Sequence, residues 1–132
     1  MIRLEITGRV APKKNSRKMR VNFRHGYHYT VPSDAFEAYK EHFLDEAVKQ
    51  YDGAPLKPPY FIQYTFHMKG KGATDGDNME GSINDLLQDA GIIENDKDIL
   101  EWHGKKILKA KEYVTVIEIW QMDERAECVA KM

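Results

Sequence analysis

The stretch from Tyr60 to Gly91 constrains this chain more than any other. Tyr60–Met68 is rich in aromatic and β-branched residues and reads as a buried strand. A basic, glycine-rich loop follows, Lys69-Gly70-Lys71-Gly72-Ala73-Thr74. The period then changes from two to about 3.6. Met79, Ile83, Leu86, Leu87 and Ala90 fall on one side of a helix over Asp77–Ala90, with Gly91 as its C-cap. Asp77, Gly81, Asn84 and Gln88 fall on the opposite side, and Asp85 lies at its margin.

The flanking sequence supplies the rest of a mixed architecture. Arg3–Val10 reads as a strand interrupted by Gly8, and Met19–Val31 as a hairpin turning at Arg24-His25-Gly26. Phe36, Tyr39, Phe43, Ala47 and Tyr51 recur at helical spacing, which predicts a helix over Asp34–Tyr51 with Glu37 as a capping partner. Asp52-Gly53-Ala54-Pro55 ends it, and Pro58-Pro59 marks an extended approach to the buried strand. Leu100–Lys109 and Glu112–Met122 read as two antiparallel strands joined near Ala110-Lys111. The order β-hairpin-α-β-α-β-β predicts an α/β (α+β) fold, a small mixed sheet covered by two helices. Residues 1–122 make one domain and 123–132 a frayed tail. No repeat, low-complexity segment or linker divides the chain.

Composition limits the function classes. At 132 residues the chain has room for one core. No apolar run approaches the ~18–20 residues of a membrane span. The N-terminus carries no apolar segment of the signal-peptide kind. Cys128 is the sole cysteine, which excludes an internal disulfide framework and a cysteine-based zinc cage. The cytoplasm is therefore the expected compartment. The net charge of −1 hides a segregation. Between Glu5 and Asp34 there is no acidic residue, while Arg9, Lys13, Lys14, Arg17, Lys18, Arg20 and Arg24 all lie there. The acidic residues gather instead in the helix from Asp34, in Asp75–Asp98 and in Asp123–Glu127. A basic segment of this kind is either a solvated loop or an electrostatic footprint for a polyanion.

The segment Asp75-Gly76-Asp77-Asn78, followed after one helix by Glu94-Asn95-Asp96, carries the chemistry. Asp75 and Asp77 stand at the entrance of the amphipathic helix, and Asp96 lies just beyond its end. A return of the chain would bring the three together. Hard divalent cations need such oxygen clusters, and magnesium, which keeps several waters, needs only two or three carboxylates. Such an ion activates water and offsets the charge of a scissile phosphate. The competing explanation is structural: aspartates before a helix cap it, each for about 1 kcal/mol. An EF-hand is excluded, because its sixth position is Glu80 rather than glycine and its twelfth is Leu86 rather than glutamate.

Taken together and in order, these segments resemble the RusA-like Holliday junction resolvases. Pro12-Lys13-Lys14-Asn15-Ser16-Arg17 is similar to that family's Pro/Asn/Arg loop after the first strand. Asp75-x-Asp77-Asn78, Asp85-x-Leu87 and Gly91-Ile92-Ile93-Glu94-Asn95-Asp96 follow in the family's order. The resemblance implies a homodimer that nicks two opposed strands of a four-way junction with Mg²⁺ or Mn²⁺. It implies that Asp75, Asp77 and Asp96 are the catalytic, metal-binding carboxylates, with Asn78 and Asp85 in supporting roles. Two departures stand out. Gly81 occupies the place where the family usually has lysine, and Asn95 replaces the first residue of an Asp-Asp pair. Lys69, Lys71 and Lys97 are the candidates for a substitute cation. Relatives often belong to phages or prophages.

On this reading Lys13, Lys14, Asn15, Arg17, Lys18 and Arg20 contact the DNA backbone, and Lys69 and Lys71 follow the strand toward the metal site. Phe23, Tyr27 and Tyr29 either stack on opened bases or pack within the hairpin. His25, His28, His67 and His103 show no ligand spacing, and Trp102 and Trp120 are expected in the core or at a dimer interface. Two other readings stay open: a relative that binds branched DNA without cutting it, and an unrelated α/β scaffold whose aspartates are caps.

Overall fold

A computed structural model describes residues 1–11, 17–22, 27–32, 34–72, 74 and 76–121, with the backbone alone in 17–22 and 27–32. In chain order the elements are β1 (Ile2–Thr7), β2 (Arg17–Asn22), β3 (Tyr27–Pro32), α1 (Asp34–Gln50), β4 (Tyr60–His67) and α2 (Gly76–Asp89). A single 3-10 turn at Asp96–Asp98, β5 (Ile99–Ile107) and β6 (Val114–Gln121) complete the fold. Met122 and the expected tail at 123–132 lie outside the described residues.

β4 is the strand around which the sheet is built. Its side chains are buried or half-buried throughout, with Tyr60, Ile62, Tyr64 and Phe66 all at 2% exposure or less. A strand covered this completely belongs in a sheet interior. The four-stranded sheet runs β1-β6-β4-β5, with β4 antiparallel to β6 and parallel to β5. β2 and β3 pair antiparallel as a separate two-stranded ribbon, as the hairpin reading expected.

This order corrects the expectation of a hairpin at the end of the chain. β5 and β6 do not pair with each other, because β4 lies between them. The connecting segment crosses the end of β4 instead: Lys109 N–H donates to Gly70 O and Ala110 N–H to Met68 O. A buried strand needs partners on both edges, and β4 obtains them by separating two strands that are adjacent in sequence. β1 also stops earlier than expected. Gly8, at φ +97°, turns the chain after Thr7 and donates its N–H to Tyr113 O.

The helices follow the apolar periodicity. Phe36, Tyr39, Phe43 and Ala47 of α1 are buried, as are Met79, Ile83, Leu86 and Leu87 of α2. With Leu4, Ile6 and Ile117 they form one core with the β4 aromatics. Each Phe, Leu, Ile or Met side chain among them contributes about 1.5–3 kcal/mol by burial. α1 packs on β1 and α2 on β5, and the two helices touch. An exposed Lys40–Asp89 ion pair at 3.3 Å joins them.

Candidate active site

The segment joining β4 to β5 is a parallel crossover through α2, and both ends of that helix are held by specific bonds. Before it, Lys106 of β5 donates from Nζ to the carbonyl oxygens of Gly72 and Thr74. Arg9 Nη2 donates to Thr74 Oγ1 at 3.2 Å. Asp75, next in sequence, lies outside the described residues. After it, Gly91 adopts φ +73° and closes a Schellman motif. Ile92 N–H reaches Leu87 O at 3.0 Å and Gly91 N–H reaches Gln88 O at 3.0 Å. Gln88 then extends Oε1 to the backbone N–H of Asp96 at 2.8 Å, tying the 3-10 turn to the last turn of α2. Asn95 caps that turn by accepting Lys97 N–H on Oδ1 at 3.0 Å. Its side-chain oxygen is thus committed to the backbone.

Between α2, the 3-10 turn and β5 lies a cleft of about 390 Å³. Asp77, Glu80, Gly81 and Asn84 form its α2 wall, with helical spacings of three and four residues. Asp96, Lys97, Ile99 and Trp102 form the other wall. The polar stripe read along α2 therefore lines this cleft at Asp77, Gly81 and Asn84. Asp77 enters it from α2 and Asp96 from the facing wall. Asp77 is in the first turn of α2, and the backbone N–H of Asp96 is held by Gln88 in its last turn.

The expected site residues divide clearly. Asp77 and Asp96 share the cleft. Asn78 and Asp85 are half-buried on α2 and do not line it. Lys69 and Lys71 do not line it either; Lys69 Nζ sits 5.9 Å from the Tyr113 ring centroid. Among the three candidate cations, Lys97 alone does. Lys13, Lys14, Asn15, Phe23, Arg24 and His25 lie outside the described residues. Arg17, Lys18, Arg20, Tyr27, His28 and Tyr29 belong to the β2–β3 ribbon, whose side chains are not described. Trp120 packs on Phe61 with ring centroids 5.3 Å apart. Trp102, expected in the core or at a dimer interface, is 61% exposed on the chain and so lies outside the core.

Several site residues escaped the sequence reading. Glu80, one turn after Asp77, lays its carboxylate over Gly104 of β5, where a Cβ atom would stand 1.8 Å from Oε1. Burial, and then the neighbouring Asp77 charge, push the Glu80 carboxyl above the usual range, with His103 opposing. Asn84 Oδ1 accepts a hydrogen bond from the buried Tyr64 hydroxyl. Burial first and the Glu80 charge second hold that phenol far above its ordinary value, against the Asn84 bond, so it stays a neutral donor. The spacing 77, 81, 84, 88 already carried Asn84 and Gln88. Nothing in the sequence carried Gly104 or Lys106, which act across strand pairings distant along the chain.

The donors offered here are all oxygen, three carboxylates and an amide, which suits a hard divalent cation. Among the described residues no three acidic, histidine or cysteine side chains gather closely enough to hold an ion by themselves. No helix among them is long and apolar enough to cross a membrane. No curated protein matches the chain. The family model of the endodeoxyribonuclease RusA matches residues 8–119.

Proposed function

Because the chain belongs to the RusA endodeoxyribonuclease family, whose members resolve Holliday junctions, we propose that it cuts four-way DNA junctions by paired symmetric nicks, using Mg²⁺ or Mn²⁺ at Asp75, Asp77 and Asp96. The observation that carries this reading is the single cleft into which Asp77 and Asp96 both open. A bound ion there supplies an activated water and offsets the charge on the scissile phosphate. The protein's own part is positional. Lys106 and Arg9 hold the loop that leads into Asp75 and Asp77, and Gln88 holds the backbone of Asp96.

The basic segment completes the reading. Lys13, Lys14, Asn15, Arg17, Lys18 and Arg20, with Lys69 and Lys71, bind the phosphate backbone of the arms, so affinity falls steeply with salt. A homodimer presents two clefts, one for each nick. The substrate and the basic segment together suit a cytoplasmic protein.

A second reading, binding without cleavage, draws on Gly81. A Cβ there would meet nothing within 4 Å, so the cleft wall is bare where a cationic side chain has room to stand. Cleavage of a labelled four-way junction, with Mg²⁺ or Mn²⁺ and with EDTA, decides between the two readings. Paired nicks that require the metal and fall at least ~100-fold in Asp77→Asn support the nuclease. Tight binding with no nicks in either metal supports the second reading.

A further inference from the structure

Trp102 is the feature of the cleft that its acidic chemistry leaves unused. It lies on an edge strand whose next residue on the same face is Gly104, so no side chain flanks it there. Its indole is 61% exposed, yet it lines the same cleft as Asp77 and Asp96. Large aromatic side chains bury 150–250 Å² when they pack, so an indole left in water costs stability that a ligand would return. Lys97 is the one basic side chain among the described cleft residues, and its ammonium has no bonded partner among the described residues. An aromatic platform and an ammonium beside carboxylates match one ligand chemistry: a nucleotide pulled out of its stack, base on the ring and phosphate on the cation.

We propose that Trp102 stacks an unpaired base in this cleft while Lys97 holds its flanking phosphate, so the site takes DNA at an opened, single-stranded position. The inference rests on the nuclease reading and adds the state of the nucleotide that the cleft accepts. Every base has a π-face, so Trp102 selects for unstacking and not for sequence. Lys97 reduces the repulsion that Asp77, Glu80 and Asp96 exert on a phosphate between them.

The test uses the full chain in a Trp120→Phe background, which leaves Trp102 as the only tryptophan. A short oligothymidine is titrated in Ca²⁺ or EDTA while fluorescence is read, and the same oligomer with one abasic position serves as control. Junction cleavage in Mn²⁺ is measured in parallel. The expected result is quenching by the intact oligomer and weaker quenching by the abasic one. Trp102→Ala should weaken binding of a junction roughly 5- to 150-fold, with Trp102→Phe recovering most of it. Lys97→Ala should slow single-turnover cleavage on the order of 100-fold. Adding Gly81→Lys, which projects into the same cleft, should recover part of that loss. Unchanged Trp102 emission with DNA, while the wild type cleaves junctions normally, overturns the proposal and leaves the nuclease reading intact. Emission that responds to protein dilution and not to DNA also overturns it, since Trp102 is then buried between copies. A wild type that neither binds nor cleaves junctions overturns both.

Discussion

The two edges of the sheet are treated in opposite ways. At the β1 edge, α1 reaches down and closes the strand. Gln50 accepts Glu5 N–H on Oε1 and donates from Nε2 to Glu5 O, both at 2.7 Å, as a neighbouring strand would. His42 Nε2 adds a bond to Thr7 O at 2.8 Å. At the β5 edge, α2 packs above the strand without closing it, and no described strand pairs on its outer side. The polar side chains between α2 and β5 turn toward the cleft, and Leu100 and Trp102 remain exposed beside it. A bare strand edge invites pairing with another chain, and proteins usually blunt it. One edge of this sheet is finished as structure, and the other borders the cleft in which we place the chemistry.

Substitutions on the two edges should therefore fail in different assays. Among Gly104→Val, Gln50→Ala, Glu80→Gln and Gly81→Ala, the largest effect is expected at Gly104→Val. The new side chain occupies the position of the Glu80 carboxylate, so junction cleavage should fall at least ~10-fold while far-UV circular dichroism is preserved. Cleavage equal to wild type would detach β5 from the site and end the contrast. Gln50→Ala, on the closed edge, should do the reverse. It removes two hydrogen bonds to an exposed backbone and should lower unfolding free energy by about 1 kcal/mol in urea, with cleavage per folded molecule unchanged. A loss of cleavage there would show that the closed edge also serves the reaction.

Glu80→Gln sharpens the comparison through pH. The folded carboxyl is raised, so the fold favours its protonated form. That contribution is fully present below the unfolded pKa and is lost as pH rises through the folded one. In metal-free buffer the glutamine variant should gain melting temperature over wild type at pH 7 and lose the advantage toward pH 4. A constant difference across that range would remove the electrostatic account. The smallest effect is expected at Gly81→Ala, a helical position with open space around it, where stability should rise by up to ~1 kcal/mol in a denaturant titration.

Local pattern carried the elements well and their pairing poorly. Phe36, Tyr39, Phe43 and Ala47 announced α1, and the stripe from Asp77 to Gln88 announced α2 and one wall of the cleft. Both depend on neighbours three or four residues away. The placement of β4 between β5 and β6 depends on which strand most needs covering, a property of the assembled sheet. The second wall inherits that difficulty. Lys106 reaches Gly72 and Thr74, and Gly104 makes room for Glu80, only because β5 runs parallel to β4. Asn95 shows a different limit: it stands in place of the first acid of an Asp-Asp pair, and only the structure shows its side chain capping the 3-10 turn.

The bond from Gln88 to Asp96 has a mechanical consequence. It fastens the segment bearing Asp96, on one wall of the cleft, to the helix bearing Asp77, on the other. Two carboxylates far apart along the chain are thereby linked across the cleft through one glutamine, which couples the two walls to each other.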